Sequence, residues 1–392
     1  MKKIDFITKE LRSLKERDRY RQIRWIEEGP SPWVRMDGEN VLLLCSNNYL
    51  GLANDSRLKK KMLQGIEAWG CGSGGSRLIS GSLAIHRALE QRLAGFHGSE
   101  AALLFNSGYS ANLSLLTALM GEGDAIYSDE LNHASIVDGC RLSKASIRIY
   151  HHLDMEHLES LLKENQGKRR KLIVTDGIFS MDGDIAPLSE LVELARKYGA
   201  LTMVDDAHAI GVFGPTGRGT VEYFHLSQGV DILMGTFGKA LGCFGAYVAG
   251  RRSLIEFLIN TGRVFLYTTA LPPSISATVL ASLDLLDEEP ERRERLWANV
   301  DYLREGLNQI GFNTMKSVAH IIPVLTGEPK ITMEMDRRLL ERGVFVQGIR
   351  PPTVPEGKCR LRVTVMATHT RDDLDFALEQ FEKVGKEVRL IR

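Results

Sequence analysis

Apolar residues recur at helical spacing from Ser56 to Trp69 and again from Ala84 to Phe96, and beyond them short apolar runs alternate with helical stretches. This rhythm predicts strands at Ala101–Phe105, Asp124–Tyr127, Ser146–Tyr150, Leu172–Asp176, Leu201–Asp205, Ile232–Thr236 and Gly245–Ala249. Several of these are near-continuous apolar runs, as in Leu172–Val174 and Met203–Val204. That pattern suits strands covered by helices on both faces. The first expectation is therefore an α/β domain with a seven-stranded, mostly parallel sheet, whose ligands gather at the carboxyl ends of the strands.

From Leu280 to Glu305 the pattern becomes that of one long, charged amphipathic helix, and the domain change is placed there. Past it, Ile321–Leu325, Val344–Gly348 and Leu361–Val365 read as strands, and 331–342 and 372–388 as helices. The predicted organisation is an N-terminal extension over 1–45, a large domain over 46–280 and a smaller C-terminal α/β domain over 281–392. A chain of 392 residues can bury two cores of this kind. No internal repeat or low-complexity tract interrupts them.

Charge narrows the function. Lys plus Arg and Asp plus Glu both number 50, so no global field draws nucleic acid or an anionic membrane surface, and any anion site must be local. The cysteines (Cys45, Cys71, Cys140, Cys243, Cys359) are odd in number and never form C-x-x-C, which argues against a disulfide framework or a structural zinc site; they read as buried free thiols. The segment 1–24 is dense in charge without an apolar run of signal length, and no run reaches spanning length, pointing to a cytoplasmic location away from the membrane.

The chemistry-bearing residues cluster after strands. G-T-F-G-K-A-L-G, Gly235–Gly242, places Lys239 among glycines just past a buried strand. A lone loop lysine is ordinarily a solvated charge. Here Thr236 offers a hydroxyl to a phosphate and Gly238 removes a side chain that would obstruct an imine at Lys239, a spacing that fits a phosphate-bearing aldehyde. Leu201–Val204 runs into D-D-A-H, Asp205–His208. An acid facing a pyridine nitrogen favours its protonated form, the role read for Asp205, while His208 suits the phenolic oxygen of the same ring. Asp and His at such a spacing also cap turns or bind metals, although no further clustered ligands accompany them.

F-N-S-G-Y-S-A-N, Phe105–Asn112, follows a strand and opens a helix, so Ser107, Gly108 and Tyr109 are candidate phosphate ligands at a helix N-terminus; a serine there is also an ordinary cap. His133, in L-N-H-A-S, either stacks on the cofactor ring or caps the next helix. The glycines of G-P-T-G-R-G, Gly214–Gly219, follow no G-x-G-x-x-G register, which sets aside a nucleotide-binding oxidoreductase.

With these motifs in order, the chain resembles the α-oxoamine synthases, a branch of the fold-type-I pyridoxal-phosphate transferases, over nearly its whole length. S-N-N-Y-L-G-L from Ser46, G-S-G-G-S-R-L-I-S-G from Gly72, D-G-I-F-S-M-D-G-D from Asp176 and Y-T-T-A-L-P-P from Tyr267 carry the resemblance beside the segments above. It implies pyridoxal 5'-phosphate held as a Schiff base on Lys239, with Lys239, Asp205, His208 and His133 catalytic. It further implies Ser180 on a cofactor oxygen, Thr236 on the phosphate, and Thr268 or Thr269 on the phosphate of a neighbouring subunit, hence a homodimer with the active site at the interface. Asn47 and Arg362 would form the amino-acid carboxylate site, for which arginine's planar fork is suited; a structural salt bridge is the competing use of Arg362. I-R-P-P-T-V-P, from Ile349, is similar to the biotin-pathway branch, implying L-alanine and a pimeloyl thioester, on coenzyme A or a carrier protein, with Arg21, Arg350 and Thr353 contacting substrate. Other branches pair glycine with acetyl-CoA. Arg77 departs from some synthases of the biotin branch and is shared with ligases, so it bears on acyl-chain preference.

Overall fold

The structure is a computed structural model that describes residues 4–17, 19–164, 167–227 and 229–392. The chain divides into two compact units, one comprising Asn47–Ser180 and Asp184–Glu294, the other Met1–Ser46, Met181–Gly183 and Arg295–Arg392.

In the first unit β1 (Ala101–Phe105), β2 (Ala125–Asp129), β3 (Ser146–Tyr150), β4 (Lys171–Asp176), β5 (Leu201–Asp205), β6 (Ile232–Thr236) and β7 (Ala246–Gly250) form a seven-stranded sheet. Its order is β1-β7-β6-β5-β4-β2-β3. β7 runs antiparallel to both β1 and β6, and every other neighbouring pair is parallel. The period-two alternation of a strand sends Ile126, Leu172, Val174, Met203 and Ile232 to one face, packed with Leu115 and Leu116 of the helix Gly108–Leu119. Tyr127 and Ile173 point to the other face, against Leu158, Leu162 and Leu191 of the helices Met155–Glu164 and Leu188–Tyr198. Both faces are thus covered, which is why the inner strands carry unbroken apolar runs. The parallel strands β2, β4, β5 and β6 end in Asp129, Asp176, Asp205 and Thr236, so polar side chains converge along one edge.

The helix Ser56–Trp69 packs on Pro273–Glu288 through Gly65, where an added Cβ would stand 2.9 Å from the Ser274 Cα and 3.1 Å from the Ala277 Cβ. Alanine is the better helix former by about 1 kcal/mol. Here the obstruction is backbone, so Gly65→Ala is expected to destabilise by about 1–3 kcal/mol through overpacking. Urea unfolding measures this, and a raised midpoint would refute it.

In the second unit the hairpin Trp33–Met36 and Glu39–Leu43 continues into Val344–Phe345, which pairs with it in parallel. A separate antiparallel sheet joins Ile321–Gly327, Cys359–Thr364 and Gln347–Ile349. The sequence reading took Val344–Gly348 as one strand; it is two, serving different sheets on either side of Val346. The single helix expected from Leu280 to Glu305 is likewise two, Pro273–Glu288 and Glu291–Ile310, because Pro290 between them lacks the amide proton to continue the ladder. The five cysteines are free; Cys140 and Cys359 are buried, but Cys71 is exposed, against the expectation of buried thiols. Among the described residues no helix is long and apolar enough to cross a membrane.

Candidate active site

At the carboxyl edge of the sheet lies a cavity of about 190 Å³ lined by Gly108, Tyr109, His133, Ser180, Asp205, His208, Thr236 and Lys239, together with Asp176, Ser135, Ala207 and Met234. Each comes from a strand's carboxyl-terminal part or from the segment that follows it. Asp205 closes β5 directly beside Asp176 of β4 and Met234 of β6 in the parallel register. Its Oδ2 accepts from the Asn112 Nδ2 at 2.8 Å and its Oδ1 from the Ala207 amide at 3.0 Å. Donors on both oxygens suit a carboxylate that must stay in one orientation.

Lys239 sits in the connection from β6 to β7. The Phe237 amide donates to the Gly245 carbonyl at 2.9 Å, the Cys243 amide to the Phe237 carbonyl at 2.7 Å and the Gly242 amide to the Lys239 carbonyl at 2.9 Å. Phe237 also stacks on Tyr247 with centroids 5.3 Å apart. The loop is therefore closed by its own backbone, leaving the lysine side chain for the cavity.

His133 is the N-cap of Ala134–Ser143, its Nδ1 accepting from the Ser135 amide at 3.2 Å, and its own amide donates to the Asp176 Oδ2 at 2.8 Å. Capping and a place in the cavity wall turn out to be compatible. Burial lowers the His133 pKa and the Lys239 charge adds to this, while Asp205 opposes them. The ring is thus held neutral at physiological pH. Burial, joined by repulsion from Asp205, pushes the Asp176 carboxyl well above the usual range. Asp176 stands beside Asp205 in the sheet register, a neighbour that appears in the sequence only as the first residue of D-G-I-F-S-M-D-G-D. His208 is linked through the Tyr49 hydroxyl, 2.8 Å from its Nδ1, to the Asn47 Oδ1 at 3.0 Å.

Ser107 is the N-cap of Gly108–Leu119, its Oγ accepting from the Ser110 amide at 3.1 Å, so it spends its hydroxyl on the helix. The amides of Gly108 and Tyr109 precede the helix's own hydrogen-bond ladder. The Tyr109 hydroxyl donates to Asp138. Thr268 and Thr269 lie apart from the cavity, lining a separate recess with Asn106 and Arg77.

Arg77 itself makes a bidentate pair with Glu90, at 2.8 and 3.1 Å, and its Nε donates to Ser82 at 2.8 Å. Its guanidinium is thus occupied by contacts within the fold. The G-P-T-G-R-G loop folds onto Glu222, whose Oε2 accepts from the Thr216 amide at 3.1 Å and the Arg218 amide at 3.0 Å. It presents no phosphate cradle.

In the second unit Arg21, Arg350 and Thr353 line one cavity of about 700 Å³ with Tyr20, Arg24 and Gln347. Arg21 donates to the Thr353 hydroxyl at 3.3 Å and Arg350 to the Tyr20 carbonyl at 2.9 Å. Arg362 is buried on Cys359–Thr364, opposite Pro323 and Gln347.

A doubly wound sheet with a lysine and an acid at its carboxyl edge defines the class, and comparison with known proteins agrees. The family model for class I and II aminotransferases matches residues 39–381, and the chain belongs to that family, in its α-oxoamine synthase branch. It is 52% identical to the 8-amino-7-oxononanoate synthase of Symbiobacterium thermophilum over 99% of both chains. Among solved structures it resembles the serine palmitoyltransferase of S. paucimobilis with PLP and myriocin bound, with a TM-score of 0.94, 34% identity and 99% of each chain covered. It also resembles the 8-amino-7-oxononanoate synthase of Francisella tularensis, with a TM-score of 0.78, 29% identity and 88% of this chain and 98% of that one covered.

The cavity's own chemistry fits pyridoxal phosphate. The Thr236 Oγ1 is buried without a hydrogen-bond partner, an orphan that a phosphate oxygen would satisfy. Gly108 faces it so closely that a Cβ there would come within 2.8 Å of the Thr236 Cγ2, so only glycine leaves the helix N-terminus open.

Proposed function

We propose that the chain condenses L-alanine with a pimeloyl thioester, on coenzyme A or a carrier protein, to give 8-amino-7-oxononanoate, carbon dioxide and free thiol. The observation that supports the chemistry is the cavity that gathers Lys239, Asp205, His133, His208 and Thr236. The choice of substrates is supported by full-length likeness to the 8-amino-7-oxononanoate synthases, and it places the reaction in biotin biosynthesis.

Bound pyridoxal phosphate supplies an electron sink for negative charge developing at the α-carbon of an amino acid. In this reading the Lys239 amine would hold the cofactor at rest, and the same amine would take the α-proton as general base and later return it. Asp205 keeps the ring nitrogen protonated. His133 covers the ring; being neutral, it can also donate to the substrate carboxylate or the developing oxyanion. His208 and Ser180 serve the phenolic oxygen, and Gly108, Tyr109, Thr236 and the Ser107 turn serve the phosphate, with Thr268 or Thr269 of a second subunit completing it in a homodimer. Asn47 and Arg362 take the alanine carboxylate, and Arg21, Arg350 and Thr353 the acyl substrate. The acyl group joins the α-carbon as the thiol leaves, and the amino acid's carboxylate departs as carbon dioxide.

Mass spectrometry of the product from alanine and pimeloyl-CoA, beside glycine and acetyl-CoA, tests the assignment. The expected result is 8-amino-7-oxononanoate with matching thiol release. Turnover of the glycine and acetyl-CoA pair alone would overturn it.

A further inference from the structure

We propose that His152 is a positioning residue whose imidazolium ties the loop bearing His133 to the hairpin bearing Ser180, so that two walls of the cofactor cavity are set by one half-buried cation. The inference rests on the cofactor reading above.

His152 is not among the residues that line the cavity and follows β3, yet it is bound at both ring nitrogens. Its Nδ1 is 2.9 Å from the Asp129 Oδ1 and its Nε2 2.9 Å from the Asp184 Oδ2. Two carboxylates on opposite sides of one ring require both nitrogens to donate, which is the charged form. Burial favours the neutral ring, but the hydrogen bonds it donates to Asp129 and Asp184 outweigh this and push the pKa up to about 10. The ring also stands edge-on to Phe179, with centroids 4.4 Å apart at 89°.

Each carboxylate leads to the cavity by a short path. The Asp129 Oδ1 also accepts from the Leu131 amide at 2.9 Å, and the Asp129 carbonyl accepts from the Asn132 amide at 3.2 Å, fixing the turn that delivers His133. Asn132 then bonds the Val174 carbonyl at 2.9 Å and the Asp176 amide at 2.8 Å. On the other side, Asp184 belongs to a small hairpin closed by the Ile178–Ile185 bridge and by the Phe179 amide on the Asp184 carbonyl at 3.2 Å. Ser180 lies within that hairpin. Side chains that hold cofactor must be locked by such outer contacts, because misplacement by a fraction of an ångström weakens several bonds at once.

The test uses His152→Gln, Asp184→Asn and their double variant, titrated with pyridoxal phosphate and followed by the visible circular dichroism of the bound cofactor. Asp184→Asn removes the charge from the arm to the hairpin only and keeps the Asp129–His152 pair, so it remains informative where His152→Gln does not fold. Each single variant is expected to raise the cofactor Kd about tenfold and to reduce the visible ellipticity, with the double variant no worse than His152→Gln, because both cut one tie. A purely structural histidine would lower the melting temperature and leave the ellipticity of the bound cofactor unchanged. Unchanged Kd and ellipticity in Asp184→Asn, or losses that multiply in the double variant, overturn the inference alone. A wild type that gains no visible band overturns the cofactor reading and this inference with it.

Discussion

Replacing Lys239 by alanine is expected to abolish turnover, by about 10⁴-fold or more, since one side chain serves as both the covalent anchor and the general base. The fold should survive. The loop from β6 to β7 is closed by main-chain hydrogen bonds at Phe237, Gly242 and Cys243 and by the stack of Phe237 on Tyr247, none of which involves the lysine ammonium. Cofactor should still enter, because Thr236, the helix N-terminus at Gly108 and Asp205 remain. Its absorbance should shift to that of the unbound aldehyde, and borohydride should tag a peptide containing residue 239 in the wild type and not in the variant. An alanine variant that turns over with full cofactor would remove the amine from the mechanism.

Where a strand is buried on both faces its apolar run is unbroken, and the sheet could be read directly. Ala101–Phe105, Leu201–Asp205 and Ile232–Thr236 lie where the pattern put them, as does the more exposed edge strand Ser146–Tyr150. The N-terminal hairpin escaped because its buried positions, Val34, Met36 and Val41 to Leu43, are few and set in charged sequence. Its partner, Val344–Phe345, is some three hundred residues distant, and no local periodicity reports such pairing. The break at Pro290 was legible in principle, as the i→i−4 ladder cannot pass a proline.

Lys239 and Asp205, which the fold brings to one cavity, stand out in the sequence, since a lysine between glycines and an acid at a strand end are unusual placements. Residues acting through others were not. Asn112, Tyr49 and Asp176 are common residue types in common surroundings, and only the register that sets Asp176 beside Asp205, or the helix turn that aims Asn112 at the same acid, gives them meaning. Ser107 and His133 show the reverse difficulty. Their sequence offered a cap or a ligand as alternatives; the fold makes both of them caps, and of the two it puts His133 in the cavity wall as well.

Asp205→Asn is expected to bind cofactor and yet exchange the alanine α-proton in deuterated water about a thousandfold more slowly, a loss within the range of acid–base catalysis. Whether the neighbouring acid can compensate decides the size of the effect. Asp176 lies opposite Asp205 in the sheet register, but burial and repulsion from Asp205 hold its carboxyl well above the usual range, which disfavours a second negative charge there. The amide has a structural cost too: Asp205 accepts from Asn112 on one oxygen and from Ala207 on the other, so either orientation of Asn turns a donor toward a donor. That mismatch costs about 1–3 kcal/mol, which a modest fall in melting temperature would register without emptying the site. Loss of exchange with cofactor retained separates ring protonation from binding. Exchange at the wild-type rate would mean that the ring nitrogen's proton does not depend on this carboxylate, and the electron-sink role given to Asp205 would fall.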